Sequence, residues 1–305
     1  MDQSALPVLD VAAGLQVAQR GAAPTPRTVL QTADVAPVPL PQGRAQEALS
    51  LKGEVWRRLW VLPDRLVIKY ENVAIVEVHD GDGRVVFDRP LAPDMEQHLL
   101  LDHVLPLALA RRGEVVLHGA VVSLGDRAAV LVGPTGAGKS TLTAFLWQQG
   151  WTVGGDDGAV LRLGPPATAE ATYPTVRLTP EAADLLDIVP EEGSEVVGKR
   201  RLRGRGTEAF RQRAFPLSLV LVLEPVDGQQ TAALTPLRGA QAHAALFSST
   251  FHLDIGRRDL LDAVVDRLAH LTEVVTVGRI TVPRGLAGLA AVEALLRHGV
   301  ATDRP

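Results

Sequence analysis

An α/β fold is what this 305-residue chain predicts, and three observations carry the prediction. Residues 133–140 read Gly-Pro-Thr-Gly-Ala-Gly-Lys-Ser, a complete G-x-x-x-x-G-K-S loop. The loop stands between an apolar, strand-type run at 128–132 and a helical stretch at 141–149. Strand-type and helix-type segments surround it on both sides in the sequence, as a sheet covered by helices requires.

Residues 1–46 are rich in alanine, proline and small polar side chains, with Pro24, Pro26, Pro37, Pro39 and Pro41 among them. They predict a loosely structured arm holding at most one short strand. Residues 47–95 predict a small antiparallel β section. Its β-type runs are 56–62, 65–70, 74–79 and 84–87, with Pro63-Asp64 and Asp80-Gly81-Asp82-Gly83 as turns. Residues 96–305 predict the loop-bearing domain. An amphipathic helix over 95–111 leads into it, kinked at Pro106, with Leu99, Leu100, His103, Val104 and Leu107 at three-to-four spacing. Strands are expected at 114–117 and 120–123, then a turn at Gly125-Asp126 and the strand entering the loop.

The helix after the loop carries Leu142, Phe145 and Leu146 on one face and stops at Gly150. A strand at 151–153 ends in Gly154-Gly155-Asp156-Asp157, and another is expected within 172–178. Thr179-Pro180-Glu181 opens a helix with an N-cap, a proline at the first position and an early carboxylate. Residues 217–223, apolar except Ser218, predict a central strand. A helix near 259–271, a strand at 274–282 and a helix at 286–296 close the chain.

With 46% apolar and 22% charged residues, the chain has the material for a sizeable core. Its net charge of −4 gives no global attraction to nucleic acid or anionic membranes, so neither is expected as a partner. The absence of cysteine excludes disulfides, thiolate metal sites and cysteine nucleophiles. The start, Met-Asp-Gln-Ser, lacks the basic and apolar regions of a signal peptide, and the apolar stretch 99–110 is broken by Asp102, His103 and Pro106. A cytoplasmic protein is expected, and a homo-oligomer is left open.

The chemistry-bearing residues cluster around the loop. Gly133, Pro134, Thr135, Gly136, Ala137, Gly138, Lys139, Ser140 and Thr141 form the predicted phosphate site. Glycines let successive N–H groups curl around phosphate, Lys139 supplies a point charge, and Ser140 is placed to hold Mg²⁺. The following helix turns its positive end to the same anion. ATP or another nucleoside phosphate, with Mg²⁺, is therefore the expected ligand. One helix further on, Asp156 and Asp157 close a strand. Adjacent carboxylates there suit the two tasks of phosphoryl transfer, holding the metal and accepting the nucleophile's proton. His118 lies one hairpin upstream of the loop, where it would polarise a carboxylate or contact a phosphate oxygen. Glu224 is read as the end of the 217–223 strand.

His118-Gly119, the Gly-Pro-Thr-Gly-Ala-Gly-Lys-Ser loop and Asp156-Asp157, in this order and at this spacing, resemble the catalytic domain of HPr kinase/phosphorylase. The resemblance covers about residues 116–158, with weaker similarity at 217–224. It implies a P-loop kinase core of the HPr kinase and phosphoenolpyruvate carboxykinase type, behind a small β-rich N-terminal section. It further implies that Lys139 and Ser140 bind phosphates and Mg²⁺. Asp156 and Asp157 would supply the metal-side carboxylate and the base that deprotonates a serine hydroxyl, with His118 assisting. Asp156 is taken as the metal-side residue, although the two roles can exchange. The implied function is a serine kinase acting on a protein or peptide, in the manner of the shorter HPr-kinase-like proteins. A Glu-Ile-Arg-Gly-Leu-Gly-like segment does not follow the acidic pair, where 172–187 stands instead. That departure leaves HPr as acceptor and the reverse phosphorolysis open. The alternatives are a metabolite kinase or carboxykinase-like enzyme, and a nucleotide-binding regulatory protein without transfer activity.

Seven of the fifteen residues 199–213 are Lys or Arg, with Gly204 and Gly206 among them. This stretch reads either as a solvated loop or as a cationic flap over the site.

Overall fold

The computed structural model of the protein describes residues 8–12, 15–18, 27–32, 39–45, 47–51, 54–190, 194–202, 213–227, 231–251 and 257–302. The chain divides into two compact units, one of residues 1–114 with 252–262 and one of residues 115–251 with 263–305. Together they make a mixed α/β protein. No described helix is long and apolar enough to cross a membrane.

Among the described residues the first unit holds an eight-stranded sheet. Its strands are β1 (Val8–Val11), β2 (Leu15–Ala18), β3 (Thr28–Thr32), β4 (Glu47–Leu51), β5 (Glu54–Val61), β6 (Arg65–Tyr70), β7 (Ala74–His79) and β8 (Gly83–Phe87). Their spatial order is β1-β2-β3-β8-β7-β6-β5-β4. β4 to β8 form an antiparallel meander, with Ile68 opposite both Leu59 and Val76. The stretch expected to be a loose arm instead contributes three strands, and β3 joins the meander by pairing parallel to β8. Val17, Val29 and Leu30 are fully buried there. Pro39 and Pro41 fall outside these strands, and Pro24, Pro26 and Pro37 lie outside the described residues.

The helix expected over 95–111 is α1 (Pro93–His98), a π-helical segment (Leu99–Val104) and α2 (Leu105–Arg111). Pro106 accounts for the change of pitch. Its ring cannot accommodate the carbonyl four residues back, and the wider π turn lets the Leu105 N–H donate to Leu100 O instead. α2 packs on β3 and β7, so this helical stretch belongs to the first unit and not to the loop-bearing one.

The second unit starts with β9 (Val115–Leu117), β10 (Gly119–Leu124), β11 (Arg127–Val132), α3 (Lys139–Gln148), β12 (Thr152–Gly155), β13 (Ala159–Arg162) and β14 (Thr168–Ala171). It continues with β15 (Val176–Leu178), α4 (Pro180–Leu186), β16 (Glu195–Val196), β17 (Lys199–Leu202), β18 (Phe215–Val226) and β19 (Ala233–Pro236). It ends with α5 (Gly239–Phe247), α6 (Arg258–Val274), whose residues up to Asp262 count with the first unit, β20 (Thr276–Pro283) and α7 (Leu286–Thr302). The main sheet runs β12-β10-β11-β18-β14-β13-β9, with β20 on β18 and β19 on β20. β18 is parallel to both β11 and β20, which makes it the central strand that its apolar run requires. It does not stop at Glu224 as expected but pairs with β20 as far as Val226.

Side-chain alternation divides the core into two layers. Ala129, Leu131, Leu219, Leu221 and Leu223 pack with Leu142 and Leu146 of α3 and Val292 and Leu296 of α7. Ala128, Val130, Val132, Leu217 and Val220 pack with Leu246 of α5 and Leu268 and Leu271 of α6. Leu217 and Leu219 lie on opposite faces although two residues apart, because a register shift at Ser218 inserts one residue into the ladder. Helices on both faces leave the end of β11 as the exit for the glycine-rich loop.

Candidate active site

The loop leaves β11 at Gly133, whose φ is 148°, and enters α3 through Gly138, whose φ is 88°. A side chain at Gly133 would press on Leu223 O of β18 at 3.1 Å. Both positions therefore call for glycine: one for a close approach to the central strand, the other for the left-handed turn into the helix. Gly138 O accepts the first helical bond, from Leu142 N at 2.8 Å. Pro134, Thr135 and Gly136 are exposed, Ser140 and Thr141 are half-buried, and Ala137 is buried. Lys139 is only 7% exposed. Its Nζ donates to Gly133 O at 2.7 Å and to Pro134 O at 3.3 Å, so it lies across the loop. Burial lowers its pKa, Asp157 opposes that, and Lys199 adds to the lowering.

Asp156 and Asp157 directly follow β12. A Cβ at Gly155 would collide with Tyr173 O, so glycine is required for the chain to pass beneath the 173–175 segment. Asp156 N donates to Thr175 O at 3.0 Å, which ties the acidic pair to the strand entry of β15. The two carboxylates then part company. Asp156 is 1% exposed, and its Oδ2 accepts from Arg177 N at 3.1 Å. Burial and the neighbouring Asp157 charge push its pKa up to about 8. Asp157 has an 18% exposed side chain, and its Oδ2 accepts from Arg177 Nη2 at 3.0 Å. Burial works to raise its pKa, but the Arg177 guanidinium outweighs that and holds it below the usual carboxylate value, with Lys199 and His118 contributing. Burial thus favours the protonated form at Asp156, and Arg177 favours the ionised form at Asp157.

His118 stands between β9 and β10, fixed by its N–H donating to Ser249 O at 2.6 Å. Its ring meets Phe251 edge-on, with centroids 5.7 Å apart. Burial, then Lys139, lowers its pKa, so the imidazole is neutral at pH 7. Nδ1 lies 3.1 Å from Asp157 O. A carbonyl can only accept, so Nδ1 carries the proton and Nε2 carries the lone pair.

Lys139, Ser140, His118, Asp156 and Asp157, expected from sequence to share one site, lie near enough to bias one another's ionisation. Arg177 was not anticipated, although it binds both carboxylates of the pair. Its signal was present: one arginine between Val176 and Leu178 in a buried strand demands a counter-ion. Glu224 does not join the cluster. It is exposed, and its nearest charge partner is Arg279 at 3.7 Å.

The donor set fits a divalent cation of the Mg²⁺ type. The Ser140 hydroxyl is close enough to the Asp156 carboxyl to oppose its pKa rise, yet Asp156 Oδ1 is buried with no partner at hydrogen-bonding geometry. No cluster of three or more His, Cys, Asp or Glu that could hold a metal occurs among the described residues. Mg²⁺ needs no such cage, because one or two protein oxygens, water and phosphate complete its shell.

No protein-family model matches the chain, and no curated protein does. Among solved structures it is similar to the Hpr(Ser) kinase/phosphatase from Coxiella burnetii, at 12% identity over 60% of this chain and 88% of that chain. The TM-score is 0.30, too low to carry an argument about this chain.

Proposed function

We propose that the protein is a Mg²⁺-dependent kinase that transfers the terminal phosphoryl group of a nucleoside triphosphate to a serine hydroxyl of a protein or peptide. The observation that carries this reading is the convergence of a strand–loop–helix glycine-rich loop with a pair of adjacent carboxylates, both held by Arg177. The choice of serine as acceptor rests on the order of the His118-Gly119, loop and Asp156-Asp157 motifs.

In this reading the loop N–H groups and Lys139 hold the nucleotide phosphates, and Lys139 exchanges its bonds to Gly133 O and Pro134 O for phosphate oxygens. Ser140 and Asp156 would hold Mg²⁺, which supplies charge neutralisation at the phosphates. Asp156 loses its proton on taking that role. Exposure supports Asp157 as the carboxylate that meets the acceptor, because its side chain is 18% exposed and Asp156 is 1% exposed. The serine oxygen bonds to the terminal phosphorus, the bond to the bridging oxygen breaks, the diphosphate leaves, and the serine proton passes to Asp157. Arg177 keeps Asp157 ionised at the expense of basicity. That loss is small here, because a loose phosphoryl-transfer transition state deprotonates the nucleophile late. The His118 Nδ1–H holds the Asp157 carbonyl and so fixes the backbone that aims the carboxylate.

The test is incubation with γ-labelled ATP and GTP, serine-containing peptides and small hydroxyl metabolites, with Lys139→Ala as control. Label in peptide serine is expected, dependent on Mg²⁺ and Lys139. Label only in metabolites would favour the small-molecule alternative, and binding without transfer would favour a regulatory protein.

A further inference from the structure

β15, β17 and β16 form a small antiparallel sheet with two unlike faces. Val176, Leu178 and Leu202 point into the core shared with α3 and α4. The opposite face follows from the register. Arg177 is paired directly with Arg201, and Lys199 lies two residues from Arg201 on the same strand, so all three side chains leave the sheet on one side. Arg177 identifies what that side confronts, because its guanidinium binds Asp157. The cationic face is therefore turned to the acidic pair.

The three cations are not equally committed. Arg177 is neutralised by Asp157, and Arg201 is fixed through its backbone N–H, which donates to Ser194 Oγ at 3.0 Å. Lys199 is half-buried and makes no ion pair with any described carboxylate. Its charge is felt by His118, by Lys139 and by Asp157, which puts it among the groups of the site. Lys199 and Lys139 repel each other, Asp157 offsets part of that repulsion, and a bound polyanion removes more of it.

We propose that Lys199 is a second phosphate-contacting catalytic residue, engaging the terminal phosphoryl group of the nucleoside triphosphate from the small sheet while Lys139 engages it from the loop. This rests on the kinase reading above and extends it. In the transfer step, charge spreads over the terminal phosphoryl oxygens as the bond to the bridging oxygen lengthens. A cation already fixed by its strand stabilises that charge without reorganisation. A solvated surface lysine would do neither.

The experiment compares wild type, Lys199→Met and Lys199→Arg. It measures equilibrium binding of ATP and ADP with Mg²⁺ and the rate of label transfer, and thermal melts confirm that the variants fold. Lys199→Met is expected to weaken ATP binding about tenfold and leave ADP binding within about twofold, because only the triphosphate carries the group contacted. Transfer is expected to fall on the order of 10²-fold, and Lys199→Arg to recover part of it by keeping the charge. Equal losses for ATP and ADP, or rates matching wild type, overturn the role of Lys199 while leaving the kinase reading intact. A wild-type protein that binds neither nucleotide overturns both.

Discussion

At the scale of single residues, burial and neighbouring charge push the two adjacent carboxylates in opposite directions. Asp156 is the sharpest case. Its native pKa is raised from 3.8 to about 8, so between those values the folded protein holds a proton that the unfolded chain has released. Stability contributed by the protonated form is complete below pH 3.8 and is lost as pH climbs toward 8. Asp156→Asn keeps the protonated shape without the titration. In metal-free buffer its melting temperature is expected to exceed that of wild type by a margin that widens from about pH 5 to pH 8. A constant margin would show that the carboxyl is not protonated in the fold. Asp157→Asn is expected to leave nucleotide affinity within about tenfold and to cost on the order of 10²-fold in transfer. Arg177→Ala strands Asp157 without its cation. A loss of about 3 kcal/mol in urea unfolding is expected, together with lost transfer.

Elements decide which residues can meet. The loop between β11 and α3 needs its glycines, and β12 needs Gly155 to pass beneath Tyr173. Gly155→Ala is expected to displace the acidic pair, so that transfer is lost while nucleotide still binds to the loop. Undiminished transfer would mean that the 173–175 segment yields easily. β17 also sorts the basic stretch 199–213 that sequence alone left as loop or flap. Lys199 and Arg201 share the face of Arg177, whereas Arg200 has the other parity and forms an exposed pair with Glu195 at 3.1 Å. Exposed pairs of that kind contribute roughly 0–1 kcal/mol. Arg200→Gln is accordingly expected to leave both transfer and melting temperature unchanged. Residues 203–212, the greater part of the expected flap, lie outside the described residues.

For the whole molecule, the net charge of −4 works against capture of a polyanion, so the local cations must act at short range. Triphosphate affinity is expected to fall as ionic strength rises, and to fall less steeply in Lys199→Met. Equal salt slopes would put Lys199 outside the field the nucleotide feels. The chain's architecture also departs from a simple division into arm, β section and catalytic domain. The described part of 1–46 adds strands to an eight-stranded sheet, and residues 252–262 return to the first unit late in the chain.

Sequence alone determined the parts of this protein that depend on neighbours along the chain. The loop and its helix follow from glycines, one lysine and a run of apolar residues within about twenty positions, because turn chemistry and helix capping are local. The meander of β5 to β8 follows likewise from alternation and turn residues. Asp156, Asp157 and His118 were legible as candidates because they lie close to the loop in sequence. Tertiary structure decided what separates them. Which carboxylate is protonated depends on burial and on Arg177, twenty residues away from Asp157 and brought there by β15. The attachment of β3 to the meander was not legible because its partner β8 lies about fifty residues along the chain. The side on which Lys199 emerges was set by a register between β15 and β17, a pairing that no local pattern encodes.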